Sequence, residues 1–194
     1  MAGGLLAAGL SASALLADVH GPQADLRYAT PANFTGAPLP GYACRTRILL
    51  RPRAARALGA VERDLRRRRL GLRVLDAYRP ARASRAMAAW ARRTGNAHLL
   101  RGYIAERSNH NRGLAVDVTL VDRRTGRALP MGTRYDAFTP AAHTAGAAGR
   151  VARNRGVLVA AMARRGFVNY RREWWHFDFP TGVALRRLDV PLRC

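Results

Sequence analysis

Between Gly113 and Asp122 the chain reads GLAVDVTLVD, and this alternation constrains the fold more than any other feature of it. Leu114, Val116, Val118 and Leu120 recur at every second position, the period of a strand whose successive side chains leave opposite faces. That row demands an apolar core on one side. Ala115, Asp117 and Thr119 face the other way, so a carboxylate is carried into the middle of a sheet, where an unpaired charge is costly. Just upstream, SNHNR brings His110 to the mouth of the same strand. Two readings stand open. Either His110 is a loop histidine and Asp117 a carboxylate satisfied by backbone N–H groups, or the two belong to a metal site whose third ligand lies elsewhere.

The rest of the chain supplies elements to pack against that strand. From Arg53 to Leu70, Leu58, Val61 and Leu65 recur at helical spacing, and Gly71 stands where a C-cap would end the helix. LRVLDAY then reads as a strand closed by Arg79-Pro80. Proline there suits the start of a helix over about 81–93, with Met87 and Trp90 among the inward residues. A hairpin-like turn, DRRTGRA, follows the central strand, and a third helix runs from about Val151 to Arg165, stopping at Gly166. FVNYRREWWHFDF near the end is aromatic and strand-like. Helices and strands mix without a regular βαβ rhythm, so the class is α+β: one domain with a central, mostly antiparallel sheet flanked by helices and the candidate site at the sheet.

A length of 194 residues suits a single core. The formal charge of +22 is far from ordinary, and such a field suits nucleic acid, anionic lipid or anionic cell-wall polymer. Against a selected binding surface stands the way the charge is made: all 34 basic residues are arginine, a pattern that points to compositional bias. The run RDLRRRRLGLR, Arg63 to Arg73, lies on a helical pattern and reads as a solvated face. With it comes no helix-turn-helix, zinc-finger or RNA-recognition signature, so nucleic acid is a minority reading, and association with anionic cell-wall polymers stays open beside it.

Cys44 and Cys194 are too few and too far apart for a thiolate zinc cluster, but they can form one staple holding the C-terminus, given an oxidising compartment. Residues 1–14 of MAGGLLAAGLSASALLADV contain a short apolar stretch and an Ala12-Ser13-Ala14 step like a signal-peptidase site, without a positive n-region. They read as a partial leader, with the folded domain over 15–194, and export is favoured over a cytoplasmic location. No later segment approaches the ~18 apolar residues of a membrane span.

The remaining histidines are His20, His98, His143 and His176. His176 draws attention because EWWHFD places Glu173 three residues before it in an apolar, aromatic stretch. A carboxylate beside a metal-bound water is what metal-assisted hydrolysis requires. Residues three apart face opposite sides of a regular strand, so Glu173 must precede the strand, or sit at a bulge, to share a site with His176. Taken alone, HxxxxxxD and ExxH are weak patterns, and both readings of His110 and Asp117 remain.

Together, SNHNRGLAVD and EWWH resemble the zinc D-alanyl-D-alanine dipeptidases, the VanX-type branch of the D-Ala-D-Ala metallopeptidases. RYATPANFTG, DAYRP, PMGTRYDAF, and NRGVLVAAM followed by GF appear in the order that family shows, from about Leu15 to Pro191. The resemblance implies one zinc ion per chain held by His110, Asp117 and His176, with Glu173 as catalytic base and Arg79 stabilising the oxyanion. It implies a D,D-dipeptide substrate, with Asp136 meeting the free ammonium, Ser108 donating to the carboxylate, and Tyr28 nearby. His143 also sits at a family position, without an evident role. Asn109 and Asn111 replace serines common in the family, changing the hydrogen bonds around His110. Two alternatives remain: a D,D-carboxypeptidase acting on longer peptidoglycan stems, and a basic polymer-binding module with a vestigial zinc site. An enzyme in the cytoplasm would remove D-Ala-D-Ala before wall synthesis, and an exported one would salvage D-alanine from wall turnover.

Overall fold

The computed structural model describes residues 15–194; the segment read as a leader lies outside them. The elements are β1 (Ala17–Asp18), β2 (Gln23–Ala24), β3 (Leu49–Leu50), α1 (Pro52–Arg66), β4 (Leu70–Asp76), α2 (Ala81–Arg93), β5 (Ala115–Asp122), α3 (Gly149–Ala163), β6 (Val168–Asn169) and β7 (His176–Asp178). A five-stranded sheet has the order β2-β4-β5-β7-β6, and only the β2–β4 pair is parallel. β1 and β3 form a separate antiparallel pair. This is the mostly antiparallel α+β architecture expected from the residue pattern. No helix of the described residues is long and apolar enough to cross a membrane.

The aliphatic row of β5 enters the core as its period requires. Val116, Val118 and Leu120 are fully buried in one cluster with Leu58, Val61 and Leu65 of α1 and Leu158 and Met162 of α3. Each such side chain contributes about 1.5–3 kcal/mol on burial. The opposite face of β5 is covered as well, so Asp117 and Thr119 are also buried.

Two boundaries differ from the pattern, for identifiable reasons. α1 ends at Arg66, and the left-handed residue after it is Arg69 (φ 57°), not Gly71. Gly71 lies inside β4, where an added Cβ would crowd both carboxylate oxygens of Glu62 at 3.3 and 3.4 Å. That carboxylate is buried in α1; it accepts from the Leu72 amide at 2.7 Å and pairs with Arg123 at 2.8 Å. The arginine run is therefore helical only as far as Arg66, with Arg67 and Arg68 exposed in a turn. Met87 of α2 is fully inside, whereas Trp90 is only partly buried, packed edge-on against Phe34.

Cys44 and Cys194 are disulfide-bonded across a separation of 150 residues, with their Cα atoms 5.1 Å apart. The tail that this bond anchors runs behind the turn carrying His110. Leu188 donates its amide to the Asn111 carbonyl at 2.7 Å, and the Asp189 carboxylate accepts from the Arg82 amide in the first turn of α2 at 2.8 Å.

Candidate active site

Strand register brings the candidate residues together. Asp117 of β5 lies directly opposite His176 of β7, and Asp76 of β4 lies opposite Asp117 across a bulge between Val74 and Asp76. Three neighbouring strands thus carry Asp76, Asp117 and His176 in one row. The stretch strand-like by composition is broken: β6 ends at Asn169 and β7 starts at His176. Between them is a turn in which the His176 amide donates to the Glu173 carbonyl at 3.2 Å. Glu173 therefore precedes the strand, and its carboxylate lies 3.9 Å from His176 Nδ1.

His110 arrives on a short 3-10 turn, Asn109–Arg112, with a reciprocal cap. The Ser108 hydroxyl accepts from the His110 amide at 3.2 Å, and the Asn111 side chain accepts from the Ser108 amide at 3.1 Å. Gly113 ends the turn at φ 69°; a Cβ there would come within 2.6 Å of Leu16 and 3.1 Å of the Arg51 backbone. No other residue type fits that combination of angle and approach.

Nε2 of His110, Oδ1 of Asp117 and Nδ1 of His176 form a triangle with sides of 3.2, 3.0 and 3.4 Å. Tetrahedral coordination with bonds of about 2.0–2.1 Å separates ligand atoms by about 3.3 Å, so these residues fit a zinc-sized ion. The tautomers agree. His110 Nδ1 lies 2.6 Å from the Ala77 carbonyl, which can only accept, and His176 Nε2 lies 3.3 Å from the Asp178 carboxylate. With hydrogen on those two outer nitrogens, each ring offers a lone pair toward Asp117, and three acceptors so placed suit a cation. Burial disfavours the charged imidazolium, but hydrogen bonds to Asp117 and Asp178 outweigh it and push His176 up to about 10. Burial likewise raises the Asp117 carboxyl, yet the two histidines hold it far below the usual carboxylate range.

The ligand atoms open into a cleft of about 380 Å³. Arg79 is buried in its wall, with Nε and Nη2 on Asp76 Oδ2 at 2.9 and 2.7 Å, and its guanidinium lies over the Tyr28 ring, 4.9 Å from the centroid. Asp117 Oδ2 is 3.9 Å from Arg79 Nη2. Burial pushes the Glu173 carboxyl up to about 8, with nearby His176 pulling the other way and Asp117 adding to the rise. Across the cleft, Asp136 occupies the left-handed region at φ 58°, a conformation costing a non-glycine residue on the order of 1–2 kcal/mol. Its carboxylate accepts from the Tyr28 hydroxyl at 3.0 Å, and burial, reinforced by Asp117 and Glu173, holds its pKa well above the ordinary value.

Several contributing residues were not singled out from sequence. The Tyr135 hydroxyl donates to Asp117 Oδ2 at 2.7 Å and lies 3.0 Å from the Tyr28 hydroxyl, joining the metal side of the cleft to Asp136. Asp76 supports both Arg79 and, at 3.3 Å, His110 Nδ1. Asp178 backs His176, and its signal was available: two residues apart on one strand share a face. Asn111, already noted in the sequence beside His110, donates to the Arg79 carbonyl at 3.0 Å and the Ser84 hydroxyl at 2.9 Å. His143 lies outside the ligand set; its Nε2 is 3.1 Å from the hydroxyl of Tyr103, a residue of the cleft wall.

Residues 11–189 match a peptidase family model described as D-ala-D-ala dipeptidase. The chain is 35% identical over 175 residues to the D-alanyl-D-alanine dipeptidase of Enterococcus faecium, spanning 82% of this chain and 86% of that protein. It is 32% identical over 172 residues to the D-alanyl-D-alanine dipeptidase of Escherichia coli, spanning 88% and 85%. Among solved structures, a vancomycin-resistance D,D-pentapeptidase, VanY, in complex with Zn(II) aligns with a TM-score of 0.44 at 16% identity, over 68% of this chain and 73% of that one. That structural likeness is too loose to bear on the chemistry.

Proposed function

The chain belongs to the D-Ala-D-Ala dipeptidase family, and on that premise we propose that it is a zinc peptidase hydrolysing free D-Ala-D-Ala to D-alanine. The observation that carries the reading is the convergence of His110 Nε2, Asp117 Oδ1 and His176 Nδ1 in a cleft with the Glu173 carboxylate 3.9 Å from the last of them. Bound there, zinc supplies a Lewis acid for the scissile carbonyl and acidifies water.

The chain's own residues do the rest. Glu173, raised toward neutrality by burial, takes a proton from water and returns it to the leaving amine. Arg79 is held by Asp76 and Tyr28, so its permanent charge is in place for the oxyanion before the reaction starts. The Ser108 oxygen is already an acceptor for the His110 amide, which leaves its O–H free to donate to the substrate carboxylate.

Asp136 argues for the dipeptide over a longer stem. An ammonium pairs with its enclosed carboxylate and favours the ionised form that burial disfavours, whereas the neutral amide of a longer peptide leaves it without a countercharge. Binding by a basic module alone has no use for an intact ligand set and Glu173. The Cys44–Cys194 bond favours an oxidising compartment, hence an exported enzyme that recovers D-alanine from wall turnover.

The test compares D-alanine release by zinc-loaded protein from D-Ala-D-Ala and from a stem pentapeptide ending in D-Ala-D-Ala. Cleavage of the dipeptide alone is expected. Cleavage of the pentapeptide at a comparable rate would make the protein a D,D-carboxypeptidase, and turnover of neither would remove the enzymatic reading.

A further inference from the structure

Each of the two ligand histidines has a carboxylate behind its ring, one fully buried and one partly exposed. Nδ1 of His110 lies 2.6 Å from the Ala77 carbonyl and 3.3 Å from the carboxylate of Asp76, which is fully buried and engaged by Arg79. Nε2 of His176 faces the side-chain carboxylate of Asp178 at 3.3 Å. Asp178 reaches it because the two residues stand on the same face of β7.

The carboxylate is itself held. Asp178 Oδ1 accepts from Asn109 Nδ2 at 3.0 Å, and Asn109 Oδ1 accepts from Arg112 Nη1 at 2.7 Å. Asn109 precedes His110 in the 3-10 turn, so a bridge of side chains, Arg112–Asn109–Asp178–His176, ties the turn bearing one ligand to the strand bearing another. Backbone pairing does not make that connection: β5 lies between, pairing Ala115 with Asp178 and Asp117 with His176.

We propose that Asp178 is a positioning residue for the metal. It selects the His176 tautomer with hydrogen on Nε2, turns Nδ1 toward His110 and Asp117, and, through Asn109, sets the distance between the two histidines. The inference rests on the reading that these three residues hold zinc. Without an acceptor behind it, the His176 ring is free to adopt the other tautomer or to flip, and either change removes the lone pair from the triangle. Outer groups of this kind are worth 10–100-fold in metal affinity. The Asp178 side chain is 34% exposed, which places the expected effect near the lower end.

The experiment is a zinc titration of the metal-free full-length protein against a chromophoric chelator, with thermal unfolding of each metal-free variant alongside. Asp178→Ala is expected to bind zinc roughly 10-fold more weakly at an unchanged unfolding midpoint. Asp178→Asn, which keeps an acceptor oxygen but not the charge, should recover part of that loss, and Asn109→Ala should show a smaller loss. His176→Ala, lacking a ligand outright, sets the scale with a far larger loss. Wild-type affinity in Asp178→Ala beside a collapsed His176→Ala would overturn the positioning role and leave the ligand set standing. Wild-type affinity in His176→Ala would bring down the ligand set and the inference with it. A lowered midpoint with unchanged affinity would make Asp178 a fold residue only, also against the proposal. Should Asp178→Ala not fold, Asp178→Asn decides: several-fold weaker binding supports the role and wild-type affinity refutes it.

Discussion

One wall of the cleft is built on strands and the facing wall on loops, and the two are fastened differently. On the strand side, Asp76, Asp117 and His176 occupy one row across β4, β5 and β7, so their spacing follows from the ladder. On the loop side, Tyr28 sits in a single 3-10 turn, and Tyr135, Asp136 and Phe138 belong to the segment between β5 and α3. That segment is fastened by a side chain. Arg155 of α3, almost entirely buried, donates to the carbonyls of Met131, Ala141 and His143 at 2.6–3.0 Å. Register thus sets the spacing of Asp117 and His176, while side-chain bonds set the shape of the wall that faces them. The loop wall is the one in which substitutions can change substrate preference without touching the metal.

The sharpest way to test that division is to remove chemistry from the strand side while leaving the metal. Glu173→Gln should keep zinc at the wild-type stoichiometry and lower kcat by about 10²–10⁴-fold. Metal content by elemental analysis together with steady-state kinetics checks both halves, and near-normal turnover would end the assignment of Glu173 as base. On the loop side, Asp136→Asn removes the charge facing the ammonium. A charge-assisted hydrogen bond contributes about 1.5–3 kcal/mol, so the KM for D-Ala-D-Ala should rise roughly 10–100-fold with zinc affinity unchanged. If zinc affinity fell instead, the chain of hydroxyls from Asp136 through Tyr28 and Tyr135 to Asp117 would couple the two walls, and the division would fail.

The smallest catalytic effect is expected from the disulfide, which lies behind both walls. Cys44→Ser should cost about 2–5 kcal/mol of stability. For a chain of this size that lowers Tm by roughly 5–15 °C. At 25 °C, kcat/KM should stay within about 2-fold, because the tail's bonds to Asn111 and Arg82 persist in the folded protein. Calorimetry and dipeptide kinetics on the same preparation check this, and a large kinetic loss would show that the tail holds the His110 turn in its working geometry.

Much of the strand wall was legible because its signals are local. The period of GLAVDVTLVD identifies β5, its core face and the odd position of Asp117, whereas the cap that Ser108 and Asn111 make around His110 emerged only in the structure. Less was legible where one residue serves a distant one. Gly71 passes for a helix cap until Glu62 is seen filling the space beside it. Arg155 is one arginine among many until three loop carbonyls meet it. Asp178 shares a face with His176 by the strand period, but its bond to Asn109 exists only in the fold.

The amino-acid sequence by itself determined the α+β class and the central strand, since periodicity and turn chemistry are properties of short stretches; the set of metal-holding residues came from the resemblance of its motifs to a family. The tertiary structure alone decided that Glu173 reaches the site from a turn before β7, that His110 and His176 both come within 3.4 Å of Asp117, and that Arg155 ties three carbonyls of the facing wall. Those facts depend on strand register and on contacts between residues tens of positions apart, and a distance of that kind exists only once the chain has folded.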